Sequence, residues 1–181
     1  KGERAAVHPV HRLDQPTSGV LLIAKSSWAH QQLSLELQRG AIKRLYLAVT
    51  DGVPPNGSGL INAPIKKGTK GIKRVISQDG QPALTRYRVI KRTDRAALLL
   101  AKLITGRTHQ IRVHFAFLAA ALWGDYLYGR ADPTFPRPAL HAVSLSFRHP
   151  RDHRRIKLRA PLPADLEKLI ATLRLLPGEI A

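Results

Sequence analysis

The chain contains no cysteine and no methionine. Without cysteine there is no disulfide framework and no thiolate metal site, which is compatible with a reducing compartment. Methionine is missing even at position 1. The sequence starts Lys1-Gly2-Glu3-Arg4, shows no signal-peptide pattern, and reads as a piece of a longer chain. Acids are scarce: 12 Asp and Glu stand against 30 Lys and Arg, for a formal net charge of +18. Such an excess costs self-repulsion in the compact state and points to a polyanionic partner. No apolar run approaches the roughly 18 residues of a membrane-spanning helix.

Familiar catalytic strings are missing too. There is no His-Glu-x-x-His, no Asp-x-Asp and no Gly-x-Ser-x-Gly elbow. There is no glycine-rich phosphate loop of either common type. His109 and His114 are five residues apart, so they do not share a helical face as a metal-binding pair would. His8 and His11 lie close together, but no carboxylate cluster completes a site around them.

What is present suits one α+β domain. The 181 residues, 44% of them apolar, suffice for one real core, and no repeat or hinge divides them. Val20–Ala24 is continuously apolar and reads as a strand buried on both faces. Residues 28–40 read as a helix with Ser26 or Ser27 as cap and Gly40 as stop. The alternation of Leu33, Leu35 and Leu37 leaves a strand open there. Residues 43–50, 85–91, 96–104, 141–147 and 155–159 read as strands, with a hairpin around residues 93–95. A helix is expected over 109–121, capped by Thr108, and another over 164–175. The irregular order implies a mixed, largely antiparallel sheet.

Asp14 is the first candidate for chemistry. It sits on a loop just before the apolar run, and its possible charge partners are Arg12, Arg107 and Arg112. Taken alone, an Asp followed by Pro16 and Gly19 is more often a turn former. Lys66, Lys67, Lys70, Lys73 and Arg74 form a basic segment broken by Gly68 and Gly71, and residues 148–159 form another. Both suit phosphate contacts, which need charge and reach.

Longer strings decide between these readings. His11-Arg12-Leu13-Asp14-x-x-Thr17-Ser18-Gly19 resembles the signature of the RluA-type pseudouridine synthases, enzymes that isomerise uridine in RNA. Lys43-x-x-Tyr46-x-Ala48-Val49, Gly80-x-Pro82-Ala83-x-Thr85, residues 105–114 (Thr-Gly-Arg-Thr-His-Gln-Ile-Arg-Val-His), Gly124-Asp125-x-x-Tyr128-Gly129, Leu140-His141-Ala142 with His149-Pro150, and Ala160-Pro161-Leu162-Pro163 follow in that family's order. The resemblance covers the chain from His8 onward.

The resemblance implies the pseudouridine synthase catalytic fold as a single domain over 1–181. The family's upstream Lys-Pro-x-Gly strand and small RNA-binding domain are expected to be missing. Asp14 would be the essential carboxylate, Arg112 its ion-pair partner, and Tyr46 the residue stacked on uracil. Arg12, Thr17, Arg107 and His109, with the basic segment, would contact RNA. No metal or cofactor is expected, and the protein would act as a cytoplasmic monomer. Large-subunit ribosomal RNA is the leading substrate, with transfer RNA or a non-catalytic RNA-binding role as alternatives. One departure stands out: the family's Gly-His-Pro, ahead of the Gly124-Asp125 pair, is replaced within Ala119-Ala120-Ala121-Leu122-Trp123.

Overall fold

The computed structural model describes residues 7–69 and 71–176. Strand β1 (His8–Pro9) is followed by β2 (Ser18–Gly19) and β3 (Ile23–Ala24). Helix α1 (Ser27–Gln38) leads to β4 (Lys43–Asp51), β5 (Ser58–Asn62) and a small hairpin of β6 (Ile65–Lys67) and β7 (Arg74–Ile76). Then come β8 (Leu84–Arg92), β9 (Ala96–Leu103), α2 (Gln110–Phe117), β10 (Leu140–Arg148), β11 (Arg155–Arg159) and α3 (Ala164–Thr172).

The main sheet runs β11-β10-β4-β9-β8-β5, with every neighbour in that path antiparallel. β2 joins it by pairing parallel to β10. The α+β expectation therefore holds. β4 and β9 lie centrally, and over Leu47–Val49 and Ala96–Leu99 they are buried on both sides. On one side Tyr46, Ala48, Leu99 and Ala101 pack with Ile111 and Phe115 of α2. Tyr87 meets Phe115 edge to face, with ring centroids 5.5 Å apart. On the other side Leu47, Val49 and Leu98 pack under Leu166, Leu169 and Ile170 of α3. A third cluster, with Leu33 of α1, Leu22 and Leu145, closes the end near the Asp14 loop.

Two expectations need correction. Val20–Ala24 is not a strand buried on both faces. Leu22 and Ala24 point inward, while Leu21 and Ile23 are 39% and 43% exposed. The run is an edge whose pairing goes to two different partners, β10 before it and β1 at its end. The open question at residues 28–40 resolves as a helix, because Ser26 Oγ accepts from Ala29 N–H and Gly40 takes φ +70° just past the end.

The second correction is at α2, which stops at Phe117 rather than Ala121 and is not capped by Thr108. His109 occupies the cap position with φ +58° and makes no side-chain cap bond. At the other end Ala120 N–H donates to Phe115 O and Ala119 N–H to Ala116 O, both at 3.0 Å. This is a Schellman motif, which places its turning residue in the left-handed region. That residue is Ala119, φ +54°, the first of the residues that replace the family's Gly-His-Pro.

Candidate active site

The Asp14 loop is held from a distance. Thr17 N–H donates to Asp14 O at 2.8 Å, closing a tight turn. Ser18 Oγ and His141 Nδ1 are hydrogen-bonded at 2.9 Å, and Val20 N–H donates to Ala142 O at 2.9 Å. Gly19 has φ +117°, and a Cβ there would collide with the Ala142 backbone. Only glycine allows that approach. The loop is thus bolted to β10, and Asp14 opens into a cavity of about 440 Å³ lined also by Arg44, Tyr46, Arg107 and His109.

Arg112 reaches Asp14, but not as its main partner. Its Nη1 lies 4.0 Å from Asp14 Oδ2. Its Nε and Nη2 donate to the two carboxylate oxygens of Asp125, both at 2.7 Å. The Asp125 side chain is fully buried and that of Arg112 only 3% exposed. The expected Arg112–Asp14 ion pair is present but is the looser of two: the tight bidentate pair belongs to Asp125, and Asp14 sits at the remaining edge of the guanidinium. Burial would lower the Arg112 pKa, but the hydrogen bonds and charge of Asp125 outweigh it, so the side chain stays a fixed cation.

Tyr46 is 4% exposed, on the cavity side of β4. Burial pushes its phenol up to about 12, against the opposing pull of Arg44. It is a neutral phenol at any physiological pH. Arg44, two residues earlier, shares that side of the strand. It is 8% exposed and donates from Nη2 to Thr105 O at 3.2 Å. Its Nε is buried without a partner, and burial lowers its pKa. Sequence reading passed over Arg44, although period-two alternation with Tyr46 would have placed it in the cavity.

The loop at residues 105–109 is organised by Gln110, which is 2% exposed. Gln110 Oε1 accepts from Thr105 Oγ1 and from Arg107 N–H, and Nε2 donates to Leu84 O and Thr85 Oγ1. Gln110 supplies the order expected of Thr108. Arg107 donates from Nε to Pro82 O, as a shaper of the loop. His109 is hydrogen-bonded through Nδ1 to Tyr128 Oη at 2.8 Å, and burial lowers its pKa, which favours the neutral ring. Tyr128 also accepts from Arg74 N–H at 2.7 Å, and its ring lies under the Arg112 guanidinium at 5.0 Å. Asp125 and Tyr128 both stand in the Gly-Asp-x-x-Tyr-Gly string, but that string had no assigned role.

The other predicted RNA contacts divide. Arg12 is exposed beside the cavity, and Thr17 lines it, buried, with Oγ1 unpartnered. Lys67 and Lys73 are exposed on the hairpin. Lys66 is not a free cation: its Nζ lies 2.8 Å from Asp79 Oδ2, and that bond, with one from Ser77, draws the Asp79 carboxyl down to about 2. Arg74 is half-buried with Nε unpartnered, and turns inward rather than outward. Lys70 lies outside the described residues. Among the described residues no three His, Asp or Glu side chains gather as a metal-binding group, and no helix is long and apolar enough to cross a membrane.

Comparisons with known proteins point to one family. A family profile described as RNA pseudouridylate synthase matches residues 1–117. The chain is 44% identical over 170 residues to a Bacillus subtilis protein named uncharacterized RNA pseudouridine synthase YjbO, covering 93% of this chain and 60% of that protein. It is 40% identical over 180 residues to ribosomal large subunit pseudouridine synthase D of Nitrosomonas europaea, covering 93% and 52%. The chain thus spans little more than half the length of these relatives. Among solved structures, human RNA pseudouridylate synthase domain containing 4 superposes with a TM-score of 0.79 at 26% identity, covering 96% of this chain and 78% of that one.

Proposed function

The chain belongs to the RNA pseudouridylate synthase family, and from that premise we propose that it isomerises uridine to pseudouridine in RNA, with large-subunit ribosomal RNA as substrate. One observation carries the reading. Asp14 and Tyr46, from two separate strings of the sequence, line one cavity, and Arg112, from a third, lies 4.0 Å from Asp14.

The reaction breaks the bond from uracil N1 to ribose C1′ and forms one from C5 to C1′. N1 gains a proton and C5 loses one, so the product is an isomer. No electron or phosphoryl group moves, and the chemistry calls for no metal. Asp14 acts at the ribose, by attack on C1′ or by taking the C2′ proton, and either role needs an ionised carboxylate. Arg112, fixed by Asp125, offers positive charge beside it. Tyr46 stacks on the uracil. With a pKa near 12, it passes the C5 proton through hydrogen bonds rather than as a standing phenolate. The target base leaves its stack to enter the cavity, at a cost of roughly a few kcal/mol, and phosphate contacts from the basic surface offset that cost. Relatives named for the large ribosomal subunit support the choice of RNA.

The test is to incubate the protein with ribosomal and transfer RNA in a metal chelator and map new pseudouridines. Sites are expected in large-subunit RNA, and none with Asp14→Asn. Modification of transfer RNA alone would move the substrate assignment. Tight binding without isomerisation would replace the enzyme reading with that of an RNA-binding protein.

A further inference from the structure

The cavity occupies one side of the sheet. On the reverse side α3 covers Leu47, Val49 and Leu98, and the half beyond α3 is bare. Strand register places Leu60, Arg86, Lys102, Leu45, Ser144 and Arg159 opposite one another in a single row from β5 to β11. At about 4.8 Å per strand gap the row is about 24 Å wide. The next row holds Lys43, Ser146 and Lys157 in register. Arg88 stands two residues from Arg86 on the same side of β8.

All six of these cations are exposed. None forms an ion pair among the described residues. Neither row contains a carboxylate. Arg86 and Lys102 face each other directly across neighbouring strands, an arrangement that destabilises a sheet. A fold that keeps this repulsion gains something when an anion is present. The rows hold no aromatic residue, so they offer no platform for stacking unpaired bases. They offer fixed positive charge on a flat, rigid surface, which suits sugar–phosphate backbone.

We propose that the bare half of the reverse face binds the phosphate backbone of double-stranded RNA. The bound helix is a segment of the substrate distinct from the strand that enters the cavity, because the two surfaces lie on opposite sides of the sheet. The inference rests on reading the chain as an RNA-modifying protein and narrows the substrate to a large folded RNA with helices flanking the target.

The experiment measures binding of a fluorescent 20-base-pair RNA duplex by anisotropy across a salt series, for the wild-type chain and for the triple variant Arg86→Ala, Lys102→Ala, Arg159→Ala. The variant is expected to bind at least about tenfold more weakly at 0.15 M salt, with a log–log salt slope shallower by about 2, near 0.7–0.9 per lost phosphate contact. A charge-retaining variant, Arg86→Lys with Arg159→Lys, is expected to keep both values and so excludes misfolding as the cause. Equal affinity and slope for wild type and triple variant would overturn the proposal. So would a defect seen only on vesicles containing phosphatidylserine. Because no isomerisation is read, absence of pseudouridine with intact duplex binding through this face would sink the enzyme reading and leave this one standing.

Discussion

Arg112 serves two carboxylates unequally, and the inequality defines the site. Asp125 holds the guanidinium by two short bonds from a fully buried position, leaving Asp14 the weaker contact. Removing one partner of such a pair strands a buried charge. Asp125→Ala is therefore expected to cost about 3–5 kcal/mol of stability, read by denaturant unfolding. Asp125→Asn is expected to lose less stability, while losing activity because Arg112 is no longer locked beside Asp14. An unchanged melting curve for Asp125→Ala would show that the pair is not stabilising. Tyr46 offers a second test. Tyr46→Phe keeps the ring that stacks but removes the hydroxyl, so kcat is expected to fall roughly 10²–10⁴-fold while KM changes little. Equal losses in both would assign Tyr46 to packing alone.

At the scale of elements, α2 is the one whose ends are least ordinary. Its start is organised by a glutamine already inside the helix, and its end turns through an alanine in a left-handed conformation. A non-glycine residue there costs roughly 1 kcal/mol. Ala119→Gly is expected to relieve that strain and raise the melting temperature by about 2–4 °C. A lowered melting temperature would mean that the alanine methyl packs well enough to outweigh the strain. The helix exit matters to function because the chain that follows carries Asp125 and Tyr128. Through Tyr128 it links Arg74 on the hairpin to His109 at the helix start. The hairpin is thereby coupled to the site, while Lys66 is spent on Asp79.

For the whole molecule, charge and buried histidine set the response to pH. His11, His109, His114 and His141 all have pKa values lowered chiefly by burial. His114 is the clearest case. It is fully buried, with Nε2–H donating to Ala63 O and Nδ1 accepting from Thr85 Oγ1. Unfolding raises these pKa values to about 6.5, so below that pH the unfolded chain binds protons that the folded one does not. Stability is thus full above about pH 6.5 and is lost as pH falls toward the folded-state pKa values. The melting temperature is expected to drop between pH 7 and pH 5, and His114→Gln is expected to drop less steeply. A flat profile for the wild type would contradict the burial of neutral histidine.

Much of this was legible in the sequence. The α+β class and five of the eleven strands, β4, β8, β9, β10 and β11, were legible as strand-forming runs between turn and loop residues. The first helix followed from its cap and stop residues. The candidate site residues were read from strings that follow a known family's order. The sequence by itself determined how charged the surface is and where the longer elements run, because those are properties of composition and local spacing. It did not determine whom an inward residue meets. Val20–Ala24 was taken for a doubly buried strand because an apolar run does not report that its outer side lacks cover. Arg112 was given to Asp14 because both stand in matching strings. Only the fold shows that Asp125 takes the two strong bonds. Ser18 is held by His141, 123 residues away, and the basic rows exist only once six strands are in register. Such contacts depend on chain closure over long separations, and the tertiary structure alone decides them.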